Sequence, residues 1–310
     1  MALTDISLQY VPLRGLVEPL LLMLINSGRP FEYSTITYEE ISALREQGKL
    51  NPEDGYPFGL FPILTAKYHG ESFVLSECLA IGALLEEEFG GGILQCLRER
   101  KAKKGALIKA KEKMLTTAAA THRFNIFYIT EPGWITVEKL EGYKQEFVLT
   151  NLRRLEYQLN TKDFDHFFSV SSEMTGRQDE PLSVAEAYIA YALDLMILFW
   201  PTVFPNSIPS ASLALGSALE PNADHANFMR RIESHSIDEV GKDTEFPLCA
   251  KLHWNVYHGR SRIREWWVTG EREGYKRDLS ICKGEEGSWE YIVTHLKALK
   301  EQGGAAVKET

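Results

Sequence analysis

The chain has 310 residues, enough for two domains with cores of their own, and a 44% hydrophobic share against 25% charged is that of a globular protein, not a disordered one. A net charge of −9 argues against a nucleic-acid partner, and the basic run from Arg98 to Lys113 is broken by acidic and apolar residues, so it reads as a solvated helix face. The first residues have neither a basic region nor an apolar core, and Leu20 to Ile25 is too short to span a bilayer, so the expectation is a cytoplasmic protein with no membrane partner.

Ile6-Ser7-Leu8-Gln9-Tyr10 alternates apolar and polar residues and reads as a short strand. Val11 to Gly15 breaks that pattern. Val17 to Asn26, with Pro19 in the first turn and Gly28 just past the end, reads as a helix packed on a sheet. A second strand is read at Phe31 to Thr37, followed by a polar, glycine-bearing connection. Phe61 to Thr65 then reads as a strand, His69-Gly70 as a turn, Ser72 to Leu75 as a strand and Glu77 to Phe89 as a helix. The order is βαβ, loop, ββα.

Gly90-Gly91-Gly92 is read as the linker between a domain at 1–90 and a second at 91–310, where the pattern turns helical. Helices are expected near Arg98 to His122 and Thr136 to Leu159, with an aromatic connection bearing proline and glycine at Arg123 to Ile135 between them. Ser183-Val184-Ala185-Glu186 is a Ser-x-x-Glu capping box opening the apolar helix Ala187 to Phe199, a structural feature and not a catalytic one. Met196, Phe199 and Trp200 read as core. Cys78, Cys96, Cys249 and Cys282 form no close pair, and His225/His235 and His253/His258 lack the i, i+4 spacing that puts two imidazoles on one helix face, so no disulfide framework or metal is expected. Dinucleotide-binding glycine patterns, Walker-type loops and nucleophile elbows are absent.

Tyr10-Val11-Pro12-Leu13-Arg14-Gly15-Leu16-Val17-Glu18-Pro19 resembles the first strand and helix of the tyrosine-type cytosolic glutathione transferases, the group with the alpha, mu, pi and sigma classes. Gly59-Leu60-Phe61-Pro62-Ile63-Leu64 resembles their cis-proline segment, and Leu75-Ser76-Glu77-Cys78-Leu79-Ala80-Ile81 their glutamyl-recognition turn. The resemblance covers roughly residues 5 to 90. It implies an α/β thioredoxin-like N-terminal domain followed by an all-α domain, and a homodimer. Phe246 to His258 and Arg260 to Trp267 are similar in order and composition to the family's last helices. On that alignment 201–245 is an insertion with one helix near Asn222 to Ser236, and 274–310 an added tail with a helix near Ser288 to Gln302. Both alternatives stand for these segments: they shape the substrate pocket, or they add to a dimer surface.

The chemistry gives these residue types their reasons. A cis X-Pro bond turns the backbone of residue 61 outward, so its N–H and C=O can pair with an extended peptide. A carboxylate at Glu77 can take the free ammonium of glutathione, while the N–H groups opening the next helix suit its γ-glutamyl carboxylate. A tyrosine hydroxyl can donate a hydrogen bond to sulfur and favour thiolate; lowering a thiol of pKa ~8.5 by about two units is worth roughly 2.7 kcal/mol.

The resemblance implies a glutathione S-transferase with Tyr10 as catalytic residue and Arg14, Lys49, Phe61, Pro62, Glu77 and Cys78 binding glutathione, the co-substrate. Val11, Leu13, Met114, Ala118 and His122 are candidate walls for a small apolar electrophile, in a detoxification or secondary-metabolism role. Two alternatives remain: a glutathione-dependent cis-trans isomerase of an unsaturated carbonyl compound, and a non-catalytic binding or interaction protein of the same fold. A thiol–disulfide oxidoreductase is disfavoured, since the first strand–helix turn has no cysteine. Two positions depart from the family. Leu16 stands where a second basic residue is usual, and Cys78 where serine is favoured. Tyr10 also has a reading as a half-buried strand residue, and Cys78 as either a reactive thiol or a small buried substitute for serine.

Overall fold

In strand β1, Leu3–Tyr10, the alternate residues Ile6, Leu8 and Tyr10 are buried, the period-2 pattern of a strand lying on a core. A computed structural model describes residues 3–11, 15–89, 105–129, 141–161, 181–200, 202–207 and 237–269. Helix α1, Glu18–Ser27, follows and carries the chain across to β2, Phe31–Thr35, which pairs parallel with β1. Residues Glu18 to Asn26 of α1 are all buried, as a helix covered on every side must be. Gly28, left-handed at φ 65°, ends it. β3, Ile63–Tyr68, pairs antiparallel with β1, and β4, Glu71–Ser76, antiparallel with β3. The sheet order is β2-β1-β3-β4. His69 and Gly70, at φ 51° and 91°, close the β3–β4 hairpin with the paired positive angles of a twist-matched two-residue turn. Helix α3, Cys78–Phe89, completes the thioredoxin-like half.

One expectation is corrected here. The polar connection after β2 contains a helix, α2, Tyr38–Glu46, and a 3-10 turn at Pro52–Asp54. Thr37 Oγ1 accepts from the N–H of Glu40 at 3.2 Å, and the Glu40 carboxylate accepts from the N–H of Thr37 at 2.7 Å. This reciprocal cap starts a helix that buries Ile41 alone, so apolar periodicity gave no sign of it. β1 also begins earlier than expected, at Leu3, and β2 ends two residues sooner, at Thr35.

Among the described residues, the rest of the chain is helical: α4, Gly105–Ile129; a π-helical turn, Lys144–Val148, leading into α5, Leu149–Leu159; α6, Val184–Phe199; α7, Ile237–Val240; α8, Pro247–Tyr257; and α9, Ser261–Thr269. The architecture is thus α/β thioredoxin-like followed by all-α. The backbone of α4 runs on through Arg123 to Ile129, where a connection was expected. That stretch has neither glycine nor proline, and the breakers Pro132-Gly133 come later. The Gly90–Gly92 linker, most of the 201–245 insertion and the 274–310 tail lie outside the described residues.

Two compact units are formed, by the described residues within Met1–Thr116, Arg177–Tyr188 and Arg260–Asp278, and by those within Thr117–Gly176, Ile189–Gly259 and Leu279–Thr310. In the first, Arg260, fully buried, donates to Asn26 Oδ1 at 3.0 Å, and Arg262 donates to the Asn26 carbonyl at 3.0 Å, tying α9 to the end of α1. In the second, His253 Nε2 and Asp194 Oδ1 lie 2.8 Å apart, both fully buried, joining α8 to α6. The Glu156 carboxylate of α5 accepts from the N–H groups of Leu248 and Cys249 at 2.9 and 3.0 Å, so a side chain from another helix caps α8. Burial, and next the Glu156 charge, push the Cys249 thiol well above its ordinary range, which leaves it an inert core group.

Candidate functional site

The sheet register brings the sequence-distant residues together. Gln9 of β1 faces Ile63 of β3, and Ile63 faces Ser76 of β4. At that end Tyr10 closes β1, the Phe61–Pro62 segment leads into β3, and Glu77 and Cys78 carry the chain from β4 into α3. Tyr10 also pairs with Thr35 of β2. This is the end of the sheet where β1 and β2 present their carboxyl termini, a place where open α/β sheets leave a crevice.

Tyr10 is 7% exposed, with its hydroxyl accepting a hydrogen bond from the backbone N–H of Leu16 at 3.2 Å. The turn at residues 15–17 folds back over the ring to make that contact. Gly15 permits it: at φ 28° it holds a conformation costly for other residues, and a Cβ placed there would lie 2.6 Å from the Tyr10 oxygen. A phenol hydroxyl is both an acceptor, as it is here to the Leu16 N–H, and a donor group.

The Phe61–Pro62 peptide bond is cis. Pro62 is buried and Phe61 half-buried, its ring edge-on to Tyr56 at a centroid distance of 5.7 Å. Glu77 is exposed and has φ 72°, a left-handed angle that a non-glycine residue holds only where its surroundings enforce it. Its carbonyl accepts from the N–H of Ile81 at 2.9 Å and so opens α3. The N–H groups of the first turn of α3 lie outside the helical ladder and face the same sheet end. Cys78 is 8% exposed and forms no disulfide, so its thiol has little access to solvent.

The other candidates are placed less closely. Lys49 is exposed just past α2, its N–H donating to the Leu44 carbonyl at 2.9 Å. Val11 is buried. Met114, 49% exposed, and the half-buried Ala118 follow one another at i, i+4 along α4, with His122 one turn on. Leu13, Arg14 and the side chain of His122 lie outside the described residues. The Leu16 N–H was not among the expected site groups. A backbone donor has no side-chain signature, and the one signal for it was Gly15 beside it. Among the described residues, no three His, Cys, Asp or Glu side chains are grouped to hold a metal ion, and no helix is long and apolar enough to cross a membrane.

The sheet order, the crossing of α1 and the helical remainder define the fold of the cytosolic glutathione S-transferases. Among solved structures, the chain is similar to a pi-class glutathione S-transferase of Onchocerca volvulus, with a TM-score of 0.54 and 15% identity over 86% of this chain and 94% of that one. It is also similar to a sigma-class glutathione S-transferase of Fasciola hepatica, at a TM-score of 0.52 and 16% identity over 87% and 98% of the two chains. No protein-family model matches the chain. No curated protein matches it either. The likeness is therefore one of fold.

Proposed function

We propose that the protein is a glutathione transferase, in which bound glutathione loses its thiol proton to solvent and the thiolate attacks an electrophilic carbon of a small apolar substrate. The observation that carries this reading is the Tyr10 hydroxyl, accepting from the Leu16 N–H at the sheet end where Pro62 leads into β3 and Glu77 follows β4. A phenol so placed donates to a sulfur at that end and favours its charged form. Glu77 takes the ammonium of the γ-glutamyl group, and the first turn of α3 takes its carboxylate. Phe61 and Pro62 line the cysteinyl segment, with Arg14 and Lys49 completing the peptide site. Cys78 acts as a small buried residue there. Val11, Leu13, Met114, Ala118 and His122 supply the apolar wall for the electrophile.

The same reading takes the boundary at residue 90 as the domain division, the protein as a cytoplasmic homodimer, and its role as detoxification or secondary metabolism. The test uses a halogenated dinitrobenzene, from which glutathione displaces halide. Tyr10→Phe keeps the ring and removes the donor, so kcat/KM is expected to fall about a hundredfold, its pH profile to shift to the alkaline side, and glutathione affinity by calorimetry to hold. Unchanged turnover in Tyr10→Phe would sink the assignment. Glutathione binding without turnover in the wild type would make the protein a binding module of this fold.

A further inference from the structure

Three glutamates of the first compact unit meet around the start of α6, away from the sheet end. Glu186, in the capping box, accepts from the N–H of Ser183 at 3.1 Å, while Ser183 Oγ accepts from the N–H of Glu186 at 3.1 Å. Glu86, from α3, accepts from the N–H of Val184 at 3.1 Å. Two carboxylates are thus held by backbone donors at a helix N-terminus, where the dipole favours negative charge. The third, Glu112 of α4, is 4% exposed. Its carboxyl neighbours that of Glu86, and its Oε1 has no hydrogen-bond partner.

Ionised carboxylates only accept hydrogen bonds, so two neighbouring buried carboxyls repel unless one of them holds a proton that it can donate to the other. Glu86 has a backbone donor, the Val184 N–H, whereas Glu112 has only the Ser183 hydroxyl beside it and is the more deeply buried of the two. Placing the proton on Glu112 lets it donate to Glu86, and the partnerless Oε1 is then a neutral carbonyl oxygen, far less costly to bury than half of an anion.

We infer that Glu86 and Glu112 share one proton, and that this proton is a pH-operated clasp joining α3 and α4 at the head of α6. The groups facing it are Glu186 on α6, whose charge opposes ionisation of both; Lys109 on α4, whose charge steadies Glu86; and the Ser183 hydroxyl, which bonds Glu112. Burial first, then the Glu86 charge, push the Glu112 carboxyl up to about 9. The native chain therefore keeps a proton that the unfolded chain releases near the ordinary carboxylate value. The clasp's stabilisation is complete below that ordinary value and is lost progressively as pH rises towards about 9, beyond which no further loss follows. This device is independent of glutathione and of Tyr10.

The test is urea unfolding of the full chain from pH 5.5 to 9.5 at constant ionic strength. Glu112→Gln is neutral at every pH and keeps a donor for Glu86. The wild-type folding equilibrium constant is expected to fall by about tenfold per pH unit more than that of Glu112→Gln from pH 5.5 to about pH 8, and the difference to level off above about pH 9. Parallel pH dependence in the two proteins overturns the proposal. Should Glu112→Gln fail to fold, carbon NMR of 13C-labelled glutamate in the wild type decides. One carboxyl is expected to stay protonated at pH 7 and titrate on the alkaline side, and Glu86→Gln should move that titration down. No such resonance overturns the clasp.

Discussion

At Gly15 the backbone comes closer to the Tyr10 hydroxyl than any side chain allows, and the consequence can be measured. Gly15→Ala must hold φ 28° and fit a Cβ 2.6 Å from the phenol oxygen, so the ring has to move. Left-handed backbone costs an alanine about 1 kcal/mol, and a displacement of about 1 Å at a reacting centre can cost on the order of a hundredfold in rate. Glutathione turnover is expected to fall by more than tenfold, and urea unfolding to show a loss of about 1 to 2 kcal/mol. Glu77→Gln separates binding from chemistry. On the proposed reading Glu77 takes the ammonium of glutathione, and losing such a charged hydrogen bond costs about 1.5 to 3 kcal/mol, so the glutathione Kd should rise by about tenfold or more in calorimetry. An unchanged Kd would remove Glu77 from the peptide site. The cis bond at Phe61-Pro62 was legible in the sequence because a proline stands at a motif position. The Leu16 N–H was not, since every residue but proline offers one.

Helix starts were read unevenly, for a reason seen by comparing two capping boxes. The Ser183 box opens α6, a helix buried along most of its length, so cap and apolar run agreed. The Thr37 box opens α2, which buries Ile41 alone, and the same four-residue signature was passed over as a connection. The connection expected at Arg123 to Ile135 began too early, since its breakers are Pro132 and Gly133 and α4 continues to Ile129. Ser183→Ala is expected to cost about 1 kcal/mol, since an orphan N–H of α6 loses its acceptor. Gly82 of α3 tests the packing of that helix. A Cβ there would sit 2.8 Å from Val184 Cγ2, so the overpacking, about 1 to 3 kcal/mol, should outweigh the roughly 1 kcal/mol that alanine gains in a helix. Gly82→Ala should thus destabilise on its own and recover when combined with Val184→Ala; additive losses in the double mutant would show that the two positions do not meet.

For the molecule as a whole, glutathione at about a hundred times its Kd should stabilise the folded chain by about 2.7 kcal/mol, read as a concentration-dependent rise in Tm. Flat Tm across that range means that nothing binds. The βαβ, loop, ββα order was legible because each element has its own local signal. The ties that close the helical part were not, because their partners lie far apart in the chain. Glu156 and the Leu248 N–H that it caps are separated by 92 residues. That separation bears on the sequence of events in folding. Closing so long a loop has an entropic cost that nothing local offsets. The first turn of α8 is therefore expected to be finished after the nucleus has formed, like a bolt shot once the door is shut. Glu156→Gln should speed unfolding in stopped-flow experiments while leaving the folding rate nearly unchanged, so a side chain read from stability alone as a cap sets how long the folded chain lasts.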